Sequence, residues 1–374
     1  MINVLFITHE TTKVLGSTLS LYNMIHSIKD KVNPIVAFPN TGAAYDFVRS
    51  KGIKCVVVPF RLNIASKKNK LIKYIPRYIY DNYTNHIAIN KLSRIVDKYD
   101  IKIVHSNTSV ITIGYLLAKK KQIKHVWHLR EFQNLDFRFE PFCGWNTLKR
   151  MISESDYSIS ITHAIANHFN VKNLSNSIVL YDAVRSINDS SLIYPKDNFF
   201  LFCGSICESK GPKLALEIFR LLSLKYPNYK LLYVGSGTES YLKELQENIN
   251  NFNLANRVEF CGYQKDVKSY MEHAATFLMC SRNEAQGRVT VESMFYGCPV
   301  IGLNSGGTKE IIKDGVNGFL FNNVQEAVEK VSLVVDNENI LKEITSHALV
   351  YAQENFTEEK YGEKLIDIYN SMIG

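Results

Sequence analysis

Residues 275–303 read ATFLMCSRNEAQGRVTVESMFYGCPVIGL. The stretch opens on one short apolar run, ATFLMC (275–280), and closes on another, CPVIGL (298–303). Neither run alternates polar with apolar residues, so each predicts a strand buried on both faces. Between them, Val289 to Tyr296 predicts a helix, with Gly297 as its stop. Two glutamates, Glu284 and Glu292, flank a seven-residue segment containing Gly287 and Arg288. A small, half-apolar segment has little structural need for a carboxylate at each end.

The same alternation extends outward in both directions. The first half gives strand candidates INVLFI (2–7), PIVAF (34–38), KCVVVP (54–59), IKIVH (101–105), HVWHL (125–129), YSISI (157–161) and SIVLY (177–181). The second half begins again with FFLFCG (199–204), YKLLYVG (229–235) and RVEFCG (257–262). Helical patterns such as STLSLYNMIHSI (17–28) and PKLALEIFRLLSLKY (212–226) separate them. Buried strands alternating with helices form parallel sheets covered on both faces, and two such series predict two doubly wound α/β domains. The chain of 374 residues is too long for one ordinary core, which agrees. The polar stretch INDSSLIYPKDN (187–198) marks the boundary. The expected domains are 1–190 and 191–350, with 351–374 a helix packing back towards the first domain.

The net charge of +8 hides an asymmetry: residues 1–190 carry 26 Lys+Arg against 13 Asp+Glu, and the remainder 18 against 23. Much of the excess lies in SKKNKLIKYIPRYIYD (66–81), where tyrosine and isoleucine interleave the bases, and in KKKQIK (119–124). The first pattern suits an anionic membrane surface as well as a solvated basic face. No nucleic-acid-binding motif accompanies it. No apolar run reaches the ~18 residues of a spanning helix, and MINVLFITHE reads as a buried strand rather than a leader. The seven scattered cysteines are expected to be reduced core thiols.

In open parallel sheets, function sits at the carboxyl ends of the strands, and the motifs fall there. After FFLFC comes GSICESKG (204–211), whose glycines allow close backbone approach and whose Lys210 supplies a cation for a phosphate. After YKLLYV comes GSGTES (235–240), a weak dinucleotide fingerprint on the wrong strand of its unit. Glu284 and Glu292 are too far apart for a hydrolase acid/base pair, since eight helical residues already span about 12 Å. Their spacing suits two hydroxylated pieces of one long ligand, a sugar at Glu284 and a ribose at Glu292, with a diphosphate between them. His105 ends a strand, as a core histidine or an acceptor-site residue. His128 ends another and is followed by Arg130 and Glu131. His163 is a candidate helix cap. No D-x-D triplet or His-rich metal spacing occurs, so neither a metal nor a cofactor is expected.

NEAQGRVTVESMFYGCPVIGLNSGGTKEIIKDGVNGFL (283–320) resembles the E-x7-E signature of the retaining glycosyltransferases of family 4 (glycosyl transferases group 1). That family has the GT-B fold, two Rossmann-like domains facing across a cleft. GSICESKG resembles its phosphate loop, and RVEFCGYQKDVKSYMEHA (257–274) its base-binding strand and helix. IVHSNTS, WHLRE, YSISITHAIANHF and VLYDAV resemble its N-terminal blocks in the expected order. The resemblance implies that Glu284 binds donor-sugar hydroxyls while Ala285, Gln286, Gly287 and Arg288 approach the sugar and phosphates. It implies that Glu292 takes the ribose hydroxyls and Lys210 the diphosphate at the Gly204–Ser205 turn, with Gly262 and Tyr263 beside the nucleobase. His128 lies near the sugar, and Gly16 lets the first loop close over the phosphates. The family's phosphate-binding arginine is Ser205 here, which removes one cation. Arg288 and Arg130 are the candidates to replace it. The usual glycine pair of the first loop is Gly16–Ser17, and the family's Asn-Gly in VLYDAV is Asp182–Ala183.

The resemblance implies a cytoplasmic retaining glycosyltransferase, peripheral at the inner membrane face, that moves a sugar from a UDP-sugar to a lipid-linked glycan in surface polysaccharide assembly. Two alternatives share the fold: a nucleotide-sugar 2-epimerase and a non-catalytic nucleotide-sugar-binding protein. A nicotinamide dehydrogenase is disfavoured by the place of GSGTES.

Overall fold

The computed structural model describes all residues except 15 and 67–74. Its contacts divide the chain into two units. Unit 1 comprises Met1–Ala183 and Glu358–Gly374; unit 2 comprises Val184–Thr357.

Among the described residues, unit 1 holds nine strands: β1 (Ile2–Ile7), β2 (Val32–Phe38), β3 (Lys54–Val57), β4 (Ile64–Ser66), β5 (Ile103–Ser106), β6 (Lys124–Leu129), β7 (Phe139–Pro141), β8 (Tyr157–Ser160) and β9 (Ser177–Val179). Seven form one parallel sheet in the order β3-β2-β1-β5-β6-β8-β9. The β1 segment reads INVLFI because helices cover both faces of the sheet, and Val4 to Ile7 are completely buried. β4 and β7 make a separate antiparallel pair, too short to stand out in the sequence.

The last helix, Glu358–Ile373, packs against helix Gly16–Ser27. Gly362 is required there, since a Cβ would lie 2.4 Å from the carbonyl oxygen of Ser27. Tyr361, Leu365, Ile368 and Tyr369 enter the unit 1 core.

Unit 2 repeats the design with β10 (Phe199–Cys203), β11 (Lys230–Val234), β12 (Val258–Gly262), β13 (Thr276–Met279), β14 (Val300–Leu303) and β15 (Phe319–Phe321). All its pairings are parallel, in the order β12-β11-β10-β13-β14-β15. The three-residue β15 escaped the sequence reading. The division between units falls after Ala183, earlier than the expected 190. Val184 donates its N–H to the Phe356 carbonyl, and Arg185 bridges Thr357, so 184–190 belongs with the second unit. The polar composition of 187–198 marked a loop inside that unit rather than its edge.

In each sheet the order reverses between the first strand and the fourth of the main series. That switch point lies between β1 and β5 in unit 1 and between β10 and β13 in unit 2. It opens a crevice beyond the carboxyl ends.

Candidate active site

In unit 2, the chain leaves β10 through Gly204 (φ +140°) and exposed Ser205. Ile206 N–H then bonds the Ser236 carbonyl at 2.8 Å. The GSG of 235–237 exists for this packing. A Cβ on Gly235 would lie 1.8 Å from the Gly204 oxygen, and one on Gly237 2.5 Å from the Ile206 oxygen. The weak fingerprint therefore has a structural cause, the close approach of two loops.

A single 3₁₀ turn, Glu208–Lys210, follows. Lys210 Nζ donates to Glu284 Oε2 at 2.6 Å, joining the loops after β10 and β13 across the switch point. Ser281 Oγ adds a bond to the Ser209 carbonyl at 3.2 Å.

The backbone at Glu284 is held from behind by the glycine pair Gly306–Gly307. Gly307 N–H donates to the Glu284 carbonyl at 2.7 Å. A Cβ on Gly306 would come 2.7 Å from that same oxygen, and one on Gly307 2.4 Å from the Ala285 oxygen. Gln286 is buried and Ala285 partly so. Gly287 turns the chain in the left-handed region (φ +85°) and caps helix Arg288–Phe295. The N-terminus of that helix lies on the same loop as Glu284 of the Lys210–Glu284 pair.

Glu292 lies on the second turn of this helix and is buried. Its Oε1 receives Arg288 Nε at 3.2 Å and Arg185 Nη2 at 3.3 Å. Arg288 Nη2 also donates to the Val184 carbonyl at 2.9 Å. Arg288 therefore holds Glu292 in this structure. Burial, with the Glu292 charge adding to it, pushes the neighbouring Cys203 thiol up to about 12. At the end of β12, Gly262 has φ +69° and accepts the Gly235 N–H at 2.8 Å. Tyr263 stands 64% exposed, an open ring at the carboxyl end of the sheet.

In unit 1, a second polar cluster lies at the carboxyl ends of β5 and β6. His105 and His128 are fully buried. His105 Nε2 lies 3.2 Å from His128 Nδ1, and His105 Nδ1 lies 2.7 Å from Tyr369 Oη. Arg130 bonds Asp182 through Nη1, Asn107 Oδ1 through Nε at 2.9 Å, and His128 Nδ1 through Nη2 at 3.3 Å. Arg130 is thus engaged by three partners within its own unit. Both ring nitrogens of His105 are engaged, by Tyr369 and by His128, as in a core histidine.

Burial, with the Arg130 charge adding to it, holds His105 and His128 well below the usual imidazole range. His125, buried between Ser106 and Ser155, is drawn down by burial to about 3. Glu131 accepts from Thr108 Oγ1, Ser109 N and Ser109 Oγ, each at 2.6 Å, and so braces the loop after β5.

The helix cap expected at His163 is Thr162, whose hydroxyl accepts the Ile165 N–H at 3.3 Å; His163 is the first helical residue. Gly16 is the exposed first residue of its helix. All seven cysteines are free, but only Cys203, Cys280 and Cys298 are buried, so the expected set of core thiols shrinks to those three. Among the described residues, no group of three or more His, Cys, Asp or Glu could hold a metal ion.

The sequence reading missed Arg185, Asn107 and Tyr369. Asp182 was noted only as a departure from a motif. A lone arginine just past a strand and a tyrosine in the last helix carry no local signal. Their partners are distant in sequence.

A model of the family described as glycosyl transferases group 1 matches residues 184–351. An uncharacterized glycosyltransferase of Methanocaldococcus jannaschii is 27% identical over 357 residues, covering 92% of this chain and 91% of that protein. The alpha-monoglucosyldiacylglycerol synthase of Acholeplasma laidlawii is 22% identical over 338 residues, covering 81% of this chain and 80% of its own. Among solved structures, Anabaena HepE in complex with UDP superposes with a TM-score of 0.80 at 20% identity, covering 99% of this chain and 100% of that one. The fold is therefore GT-B.

Proposed function

We propose that this chain, a glycosyltransferase whose residues 184–351 match the group 1 model, carries out retaining transfer of a sugar from a UDP-sugar to a hydroxyl of a lipid-linked glycan in surface polysaccharide assembly. The observation that carries this reading is the Lys210–Glu284 pair at 2.6 Å, set at the switch point of unit 2 beside the Gly287 helix start. Each partner is what one part of a nucleotide sugar requires. An arriving diphosphate draws Lys210 away, and Glu284 is left to accept hydrogen bonds from sugar hydroxyls. Glu292, steadied by Arg185 and Arg288, is a fixed acceptor for ribose hydroxyls. Tyr263 offers an open face to the base.

In this mechanism the acceptor oxygen attacks the anomeric carbon from the face the diphosphate leaves. The bond from that carbon to the phosphate oxygen breaks, and the hydroxyl proton passes to a leaving-phosphate oxygen. Lys210 and the helix N–H groups meet the developing charge. The reading calls for no metal or cofactor.

The acceptor and its setting rest on unit 1. Its half of the chain carries the basic excess, and helix Ile75–Lys98 exposes Ile79, Tyr80, Tyr83 and Ile87. Large apolar side chains beside basic residues suit an anionic leaflet. Lys67, Lys68, Lys70 and Lys73 of the same basic stretch lie outside the described residues. No described helix is long and apolar enough to cross a membrane. The Acholeplasma relative is named for a lipid product, which supports a lipid-linked acceptor.

A thermal-shift screen across UDP-, GDP- and ADP-sugars, followed by transfer assays with the best binder, tests the donor. A UDP-sugar should stabilise most, and the anomeric configuration of the product should match the donor's. Conversion of the donor with no acceptor present would replace the transferase reading with an epimerase. Co-sedimentation with anionic vesicles at two salt concentrations tests the setting. Protein left in the supernatant at low salt would favour a soluble acceptor.

A further inference from the structure

We infer that His128 is locked as the Nε2–H tautomer and serves as a fixed hydrogen-bond donor, with His105 and Tyr369 as its positioning residues. The Arg130 guanidinium has donors and no acceptor. Arg130 Nη2 lies 3.3 Å from His128 Nδ1, so that nitrogen must present a lone pair. His105 Nε2 lies 3.2 Å from the same atom. Two lone pairs facing each other would repel, so His105 carries its proton on Nε2 and donates. Both contacts are long, as when two donors share one acceptor. His105 Nδ1 is then an acceptor, and the Tyr369 hydroxyl donates to it at 2.7 Å. The chain of donors runs one way, from the last helix through β5 to β6.

The remaining proton of a neutral His128 must sit on Nε2. That nitrogen is buried and has no hydrogen-bond partner among the described residues. Asp182 Oδ1 lies 3.7 Å away, too far for a hydrogen bond, but its charge favours an N–H facing it. A buried donor without a partner is costly in a folded protein, and an oxygen of a bound sugar or phosphate would relieve that cost. The same assignment bars His128 from acting as a general base. Its free nitrogen already holds a proton, and the other is covered by Arg130 and His105. The acceptor hydroxyl proton must leave by another route. The identity of the bound oxygen rests on the transferase reading above; the tautomer does not.

The test begins with long-range ¹⁵N–¹H NMR on the histidine-labelled full chain without ligand, assigned through His105→Gln and His128→Gln. His128 should show a protonated Nε2 and a bare Nδ1. The opposite pattern, or a doubly protonated ring near neutral pH, would overturn the inference whether or not any transfer activity is found.

Tyr369→Phe keeps the ring and removes the donor. It should allow His105 to change tautomer, lower kcat by about five- to tenfold, and leave nucleotide affinity in unit 2 unchanged. If kcat and the His105 spectrum both stay unchanged, the relay is wrong. His128→Gln keeps a donor and should retain more activity than His128→Glu or His128→Ala, with the wild-type pH profile. If Glu matches Gln, or if Gln removes an ionisation from the profile, His128 is a base after all. Tryptophan fluorescence reports whether each variant is folded, since Trp127 and Trp145 both lie in unit 1.

Discussion

At the carboxyl ends of β5 and β6, unit 1 buries two histidines, an arginine and an aspartate, tied to one another and to the last helix. At the carboxyl ends of β10 and β13, unit 2 places a lysine and a glutamate in a single ion pair, with the lysine side chain 37% exposed. Both sheets switch strand order at the same point of their series. A buried network held by several bonds cannot exchange partners without leaving a charge or a donor unsatisfied. A partly exposed pair is held weakly and can. Under the proposed function the contrast divides the work: unit 1 would present groups of fixed geometry, and unit 2 would take up and release an anion.

The largest expected effect would break the comparison on stability. His105, His125 and His128 are buried neutral, and each is lowered from its unfolded value near 6.5. A lowered histidine leaves stability intact above that value and removes it below, because the unfolded chain then binds the extra proton. Three such groups give a loss approaching about 4 kcal/mol per pH unit well below pH 6.5. Urea unfolding followed by tryptophan fluorescence, which sees unit 1 alone, should therefore show a steep fall between pH 6 and 5. A flat midpoint across that range would mean the network is not buried as described.

Next in size is Lys210→Ala. Removing the cation that meets the leaving diphosphate should lower kcat/KM by about a hundredfold or more. Ser205 adds no charge, and Arg130 and Arg288 are bound to other partners. An effect under tenfold would show that another group carries the diphosphate.

Glu292→Gln should weaken binding of free UDP by roughly 1.5–3 kcal/mol, the value of a hydrogen bond to a charged group. Isothermal titration measures it, and unchanged affinity would remove Glu292 from the ribose. The smallest effect belongs to Glu284→Ala in the same titration. Free UDP contains no sugar for Glu284 to hold, so its affinity should move by less than about 0.5 kcal/mol, while turnover of the UDP-sugar falls. Equal losses of UDP affinity in the two variants would mean that the carboxylates do not divide the ligand between them.

The sequence by itself determined the two parallel-sheet series, because a strand covered on both faces must be apolar throughout. INVLFI, FFLFCG and ATFLMC announce this locally. It also determined where the unit 2 groups stand. Glu284, Gly287 and Glu292 lie within one strand–loop–helix segment, and Lys210 lies on the loop after the neighbouring strand. Short-range spacing is a backbone property, and sequence records it.

What the tertiary structure decided is who pairs with whom. Arg288 turned to Glu292, four residues along its own helix, and Arg185 joined it from a loop more than a hundred residues away. Arg130 found Asp182, and His105 found Tyr369 across 264 positions of chain. Such partners meet because the sheet order brings β1, β5 and β6 together and Gly362 lets the last helix approach closely. Direct contact and exclusion of water fix their pairing and protonation. Neither quantity exists until the chain has folded.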